Sequence, residues 1–393
     1  MSLPQLDSAQ SRTLVWAGLA VVLSSFGGSV LILGLPAVAA DFRASVPAVS
    51  NLGSLLALGA LGAFPLATLA DHLGRRRLIA VGVAGFSMAN LASAFAPSIT
   101  ALAVFRLIAV CFEALVGTVA TALIVEEAPP THRGLALSVL AILGGGGLLV
   151  AIVAYPIIAP HWRWLFLAAS VGIVAAPFIW VRLPEGRAWA RAHVTGSAVR
   201  LILSRPWRFR VGVLAGTTVL TALVLEPAGL LYTLFASSTL RLSPTAISVV
   251  IFFAGVAALI SYLGGGYLSD RYGRRLPGAA LTAAYTAFAG LGFVTGAVGF
   301  VASNLLWSAL ASAATPVMGA WSGELYPTRA RATAEAVGAV AGAIGGIAGL
   351  QLVGYLTPRV GLGQGIALLG VAALGGAALL LLLPETRGRP LPD

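Results

Sequence analysis

Three ionisable side chains, Arg106, Glu113 and Glu226, interrupt long apolar stretches of this 393-residue chain. At the centre of a bilayer such a group costs at least roughly 2.5–3.5 kcal/mol, so each needs a partner or a water-filled recess. Burial favours the neutral acid and a nearby arginine favours the anion. Arg106 and Glu113 are seven residues apart, hence on nearly one helix face and about 10 Å apart along the axis. Arg106 either holds Glu113 ionised or exchanges it for an anionic substrate group. Glu226 has no basic neighbour in sequence and is the first candidate to take up a proton, with Glu113 the second. Pro227 removes a backbone donor beside it and predicts a local helix break. The plainer alternatives are a static 106–113 pair and a polar anchor at a kink.

The elements that must position these groups follow from hydropathy. The chain is 59% hydrophobic and 9% charged, with a mean hydropathy of +0.96. Runs of about 20 apolar residues are long enough to cross a bilayer. The sequence predicts twelve, near 13–37, 48–70, 78–96, 100–125, 135–158, 164–181, 211–236, 245–268, 277–299, 303–323, 333–356 and 363–383. They do not alternate apolar and polar residues, which excludes a transmembrane barrel. The first run follows one arginine and is longer than a leader's apolar region, so it reads as a retained helix. Gly338, Gly342 and Gly346 put small residues on one face of the eleventh run, a pattern that serves close helix packing.

All 24 basic residues are arginine. With the N-terminus cytoplasmic, Arg43, Arg163, Arg241 and Arg359 fall in outer connections, Arg106 in a span, and the other nineteen in inner ones. That bias fits both the twelve-span count and cytoplasmic termini. It also assigns the net charge of +11 to orientation in a membrane, not to nucleic acid. The chain divides into an N-terminal bundle (1–181), a basic linker (182–210) and a C-terminal bundle (211–393). The linker, with Trp189 and Trp207 among seven arginines, is expected to lie on the anionic inner leaflet.

The halves repeat one another. Asp71 in "ATLADHLGRRR" and Asp270 in "GYLSDRYGRR" are 199 apart; Glu126 and Arg133 of "EEAPPTHR" precede Glu324 and Arg331 of "ELYPTRAR" by 198; "PEGR" (184–187) precedes "PETR" (384–387) by 200. Asp71 and Asp270 each end a span, at the unfavourable pole of the helix dipole. They require a positive partner, either a nearby arginine or another helix's N-terminus. "GYLSDRYGRR" resembles the loop motif of the major facilitator superfamily, matched at Gly266, Asp270, Gly273, Arg274 and Arg275; the earlier copy has Ala67 for the first glycine. "ELYPTRAR", "PEGR" and "LPETRGR" are similar to the sugar-porter and metabolite–proton symporter branches. The resemblance implies an all-α membrane fold of two six-helix bundles that alternate access around a central site. It further implies a cytoplasmic gate built from Asp71, Arg75, Asp270, Arg274, Glu126, Arg133, Glu324 and Arg331. Sugar porters pair a first-helix acid with the fourth-helix arginine. Here the corresponding stretch, "SSFGGSVLILGLPAVAADF" (24–42), has only Asp41, near its outer end, leaving Glu113 to take over.

These features predict a secondary transporter of a small organic solute, coupled to protons, monomeric, in the inner membrane and without cofactor or metal. The four histidines form no ligand cluster, Cys111 stands alone, and there is no phosphate-binding loop and no nucleophile–base pair. An exporter of organic cations or drugs is the alternative, and a non-transporting membrane receptor the alternative of another class. The fifth run, "LGGGGLL" (143–149), lacks the proline-bearing motif of proton-coupled drug antiporters. Asn51, Asn90, Asn304 and Gln351 either contact substrate or hydrogen-bond between helices.

Overall fold

The computed structural model describes residues 8–68, 74–127, 133–159, 161–185, 204–326 and 331–388. Asp71 lies outside the described residues, as do the side chains of Glu126, Arg133 and Arg331. Thirteen α-helices and one 3-10 turn account for the described regular structure. The first half holds α1 (Ser8–Asp41), α2 (Val46–Thr68), α3 (Arg75–Ala94), α4 (Ile99–Glu127), α5 (Arg133–Ile158), α6 (Trp162–Ala169) and α7 (Gly172–Arg182). The second holds α8 (Arg205–Ser238), α9 (Pro244–Tyr272), α10 (Arg275–Leu291), α11 (Gly296–Leu325), α12 (Arg331–Val360) and α13 (Leu362–Leu380).

Each predicted span falls on helix over most of its described residues; residues 69–70 of the second lie outside them, and the ninth is crossed by the 3-10 turn Gly292–Val294. Eleven stretches are long and apolar enough to cross a membrane, and α2 supplies the twelfth with 23 residues. The sixth span is interrupted at Ser170–Val171, where Ser170 Oγ donates to the Leu167 carbonyl. Competition of this kind with the backbone ladder disfavours helix continuation. Many large apolar side chains face outward, Leu263 at 77% exposure among them, as expected where lipid is the solvent. Trp164 and Trp180 stay exposed near opposite ends of the sixth span, the usual level of an aromatic belt.

The chain forms two compact units: residues 1–44 with 58–194, and 45–57 with 195–393. Thus the first half of α2 clusters with the second unit, where Gln351 Nε2 donates to Asn51 Oδ1 (3.0 Å) and Ser54 Oγ (2.9 Å). Within the first unit α1 packs on α5 and α4, and α3 packs on α4 and α7. Within the second the equivalent pairs are α8 with α12, α10 with α11, and α10 with α13. The backbone repeats as well. Arg43 and Arg241 both turn with positive φ (48° and 55°), and Gly74 and Gly273 share φ 90°.

Pro227 does not break its helix: α8 is continuous over 34 residues. Its missing N–H would have served the Leu223 carbonyl. Gly349 of α12 approaches so closely that a Cβ there would lie 2.2 Å from that oxygen. A Cα–H of the glycine can face the freed acceptor, so packing covers the carbonyl that the proline leaves unpaired. Gly345 approaches the Val219 carbonyl in the same way, whereas Gly338 has no neighbour within 4 Å. Of the predicted row, Gly346 packs on Glu226 and Gly342 on Thr218, so the seam with α8 holds two of its three glycines and adds Gly345 and Gly349. The start of α8 also overlaps the expected linker. Trp207 packs on Tyr326 (6.4 Å between ring centroids), with the Arg210 guanidinium 4.9 Å from its own centroid. The rest of that linker, 186–203, lies outside the described residues.

Candidate functional site

The two turns separating Arg106 from Glu113 are bridged by their side chains. Glu113 inclines toward the helix N-terminus, as side chains on a helix do, and Arg106 extends to meet it. Nη1 reaches Oε1 at 3.3 Å and Nη2 reaches Oε2 at 3.4 Å, a fork-on-fork arrangement. Arg106 is 1% exposed and Glu113 9%. Asn90 of α3, wholly buried, accepts from Arg106 Nη1 at 2.5 Å. Phe166 of α6 lies with its ring centroid 5.7 Å from the guanidinium carbon. Ser24 of α1 donates to the Glu113 backbone carbonyl at 3.1 Å. Gly27 and Gly28 lie beside the carboxylate, with no side chain to occupy the space. Arg106 Nε is buried with no hydrogen-bond partner among the described residues.

The set differs from the sugar-porter pattern in where its acid comes from. The first helix contributes an opening, and the carboxylate enters it from α4. Sequence reading paired Arg106 with Glu113 and gave Asn90 a helix–helix hydrogen bond, which it makes to Arg106, but did not join it to the pair. The missed signal is the pair of adjacent glycines in α1, opposite the arginine-bearing helix.

Glu226 has a different setting. It lies on α8 against Gly346 of α12, where an added Cβ would stand 2.6 Å from Glu226 Cγ. Among the described residues no basic group acts on it. Its side chain is exposed along α8.

The loop charges form two matching constructions. In the first unit the chain leaves α7 and brings Glu185 to the start of α3. There Arg76 N–H donates to Oε1 at 3.1 Å, and Arg76 Nε stands 3.8 Å from Oε2. In the second unit Glu385 reaches the start of α10 and accepts from the N–H groups of Arg274 (2.9 and 3.0 Å) and Arg275 (2.9 Å). Each carboxylate meets unpaired helix N–H groups and the positive pole of the dipole. A Cβ at Gly74 would lie 2.9 Å from Glu185 Oε2, and one at Gly273 2.5 Å from Glu385 Oε2. Glycine is required there both for the positive φ and for the approach.

Arg274 adds a second layer. It binds Glu324 through Nε (3.3 Å) and Nη2 (3.0 Å), and donates from Nη1 to the Ser269 carbonyl (2.6 Å) and to Asp270 (3.2 Å). Thr386 Oγ1 donates to Glu324 Oε2 at 2.5 Å. Asp270 is 82% exposed, so its pair with Arg274 is the loosest of these. Of the expected gate residues, the structure brings together Asp270, Arg274 and Glu324; Arg75 opens α3. The two carboxylates at the helix starts, Glu185 and Glu385, were quoted within "PEGR" and "PETR" but given no part in the site.

These contacts set the protonation states. Burial alone would raise the Glu385 carboxyl, but backbone N–H groups of Arg274, Arg275, Arg387 and Thr386 outweigh it and hold it below the usual carboxylate range. The hydrogen bond to Glu324 raises Arg274 above its ordinary value, so the guanidinium stays charged. Burial pushes the Tyr326 phenol up.

Comparison with known proteins agrees with this architecture. The Major Facilitator Superfamily profile matches residues 17–236, and the Sugar (and other) transporter profile matches 198–393. A gallate transporter from Pseudomonas putida is 29% identical over 426 residues, covering 96% of this chain and 93% of the relative. The puromycin resistance protein pur8 of Streptomyces alboniger is 33% identical over 226 residues, which are 53% of this chain and only 41% of that protein. A bacterial homolog of the human lysosomal transporter Spinster, solved inward-facing and unoccupied, superposes with a TM-score of 0.80 at 18% identity, covering 96% and 97% of the two chains. With a profile match across more than half its length and that fold, the chain belongs to the Major Facilitator Superfamily of integral membrane transporters.

Proposed function

We propose that the protein takes up a small organic solute bearing a carboxylate, together with protons, across the inner membrane. It works as a monomer with both termini cytoplasmic. The observation that carries this reading is the buried Arg106–Glu113 pair with Asn90. An arginine stripped of its partner at 1% exposure would cost several kcal/mol. Protonation of Glu113 therefore calls for another anion on Arg106, and a substrate carboxylate fits the same fork. Proton and substrate then favour each other's binding, which is the linkage a symporter needs. Glu226, with no basic partner among the described residues, supplies a second proton-accepting group. Similarity to a gallate transporter supports an aromatic acid as the solute. The Arg274–Glu324–Asp270 cluster serves as part of the inner gate.

The test is flux in proteoliposomes with labelled gallate and nicotinate. An inward-directed proton gradient drives accumulation, and Arg106→Ala removes it. Accumulation that ignores the gradient and survives Arg106→Ala refutes the proposal. A second reading, proton-coupled export of organic cations or drugs, draws on the similarity to a puromycin resistance protein. It predicts competition between organic cations and protons, and loss of transport in Glu226→Gln with Arg106→Ala still active.

A further inference from the structure

The space beneath the buried ion pair belongs to α1. A Cβ on Gly27 would stand 2.9 Å from Asn90 Nδ2 and 2.9 Å from Glu113 Oε1, whereas one on Gly28 would stand 3.5 Å from Glu113 Oε2. The second distance is ordinary contact and the first is a collision with two groups at once. Flexible side-chain ends usually relieve such a collision by rotating, but here both are committed: Asn90 accepts from Arg106 Nη1, and Glu113 takes both arms of the guanidinium. Nor can α1 draw back freely. Ser24, one turn earlier, is bonded to the Glu113 carbonyl. On another side Gly147 of α5 packs on the Val22 carbonyl and the Phe26 amide, where a Cβ would come within 2.2 and 2.9 Å.

We infer that Gly27 is a positioning residue. Its missing side chain sets how deeply Glu113 and Asn90 seat on Arg106, and so how readily Glu113 exchanges its partner for a proton. The inference rests on the proton-coupled reading above and adds to it the element that tunes the exchange. Few other charges bear on Glu113. Arg106 faces it from its own helix. The helices packed against α4 carry charge only toward their ends: Arg12 and Asp41 on α1, Arg75, Arg76 and Arg77 on α3, and Arg133 on α5.

The experiment follows the carboxyl infrared band of the full-length protein in liposomes across a pH titration, which needs no substrate. Glu113→Gln assigns the band by its loss. Gly27→Ala displaces the midpoint by at least about half a pH unit, a threefold change in proton affinity, and Gly28→Ala leaves it in place. Adding Glu113→Asp, one methylene shorter, to Gly27→Ala restores a Gly27-like midpoint and restores membrane accumulation if the single variant lacks it. An unmoved midpoint in Gly27→Ala overturns the inference. So does a double variant no better than Gly27→Ala in midpoint or accumulation. If Glu113→Gln removes no titrating band, proton exchange at Glu113 itself fails, whatever Gly27 does.

Discussion

The two units each hold one acid within the membrane and treat it in opposite ways. Glu113 is fixed by Arg106 and abuts helix α1 at Ser24 and Gly27. Glu226 rests on a glycine of α12, exposed and with no basic partner among the described residues. A partnered acid is part of the packing, so removing its partner destabilises the fold. An unpartnered acid stabilises nothing, so its retention in an apolar helix calls for a chemical reason. The contrast separates a group whose protonation must be compensated by another ligand from a group that can titrate alone.

The largest effect should come from breaking the partnered side. Arg106→Ala leaves a buried carboxylate opposite an empty space and should cost about 3–5 kcal/mol, read as a lower melting temperature and loss of uptake. Replacing both members, Arg106→Leu with Glu113→Leu, should recover much of the stability and none of the transport. Next is Gly273→Ala, which places a side chain at φ 90° and against Glu385. A cost of about 1–3 kcal/mol is expected, with Gly74→Ala smaller because its contact is looser. Glu226→Gln should change stability by no more than about 0.5 kcal/mol yet flatten the pH dependence of flux. A melting temperature that falls as far as in Arg106→Ala would dissolve the contrast between the two acids. Asp270→Asn, at an exposed pair, should leave stability and substrate affinity unchanged while slowing turnover; unaltered turnover would remove Asp270 from the gate. The smallest effect concerns Glu385. Its folded-state value is depressed, so its contribution is complete above the unfolded value of about 4.3 and lost as pH falls through the folded one. Glu385→Gln should abolish that part of the acid dependence of melting.

The sequence made some of this plain and hid the rest for physical reasons. Helix number and the repeat were legible because hydropathy is a property of whole runs and because Asp71/Asp270 and "PEGR"/"PETR" recur at nearly one offset. The Arg106–Glu113 pair was legible because both residues lie on one helix, where spacing fixes direction. Asn90 was legible as an interhelical hydrogen-bonding residue but its partner was not, since a contact between two helices depends on their crossing, which periodicity does not encode. Pro227 misled for the same reason: its local effect is real, but the carbonyl it frees is covered by Gly349, 122 residues later, and the helix runs on. For Asp270 the dipole argument correctly demanded a positive partner. The helix N-terminus it might have used is occupied by Glu385, which arrives from beyond the last span.

That arrival has a bearing on ancestry. Each six-span unit completes the exposed end of its own third helix with an acid carried just past its own final span, Glu185 in one and Glu385 in the other. A single copy could thus have finished its backbone before it had a companion. Gene fusion then had only to add a connecting strip, and a chain cut within that strip should reassemble when its two fragments are made together.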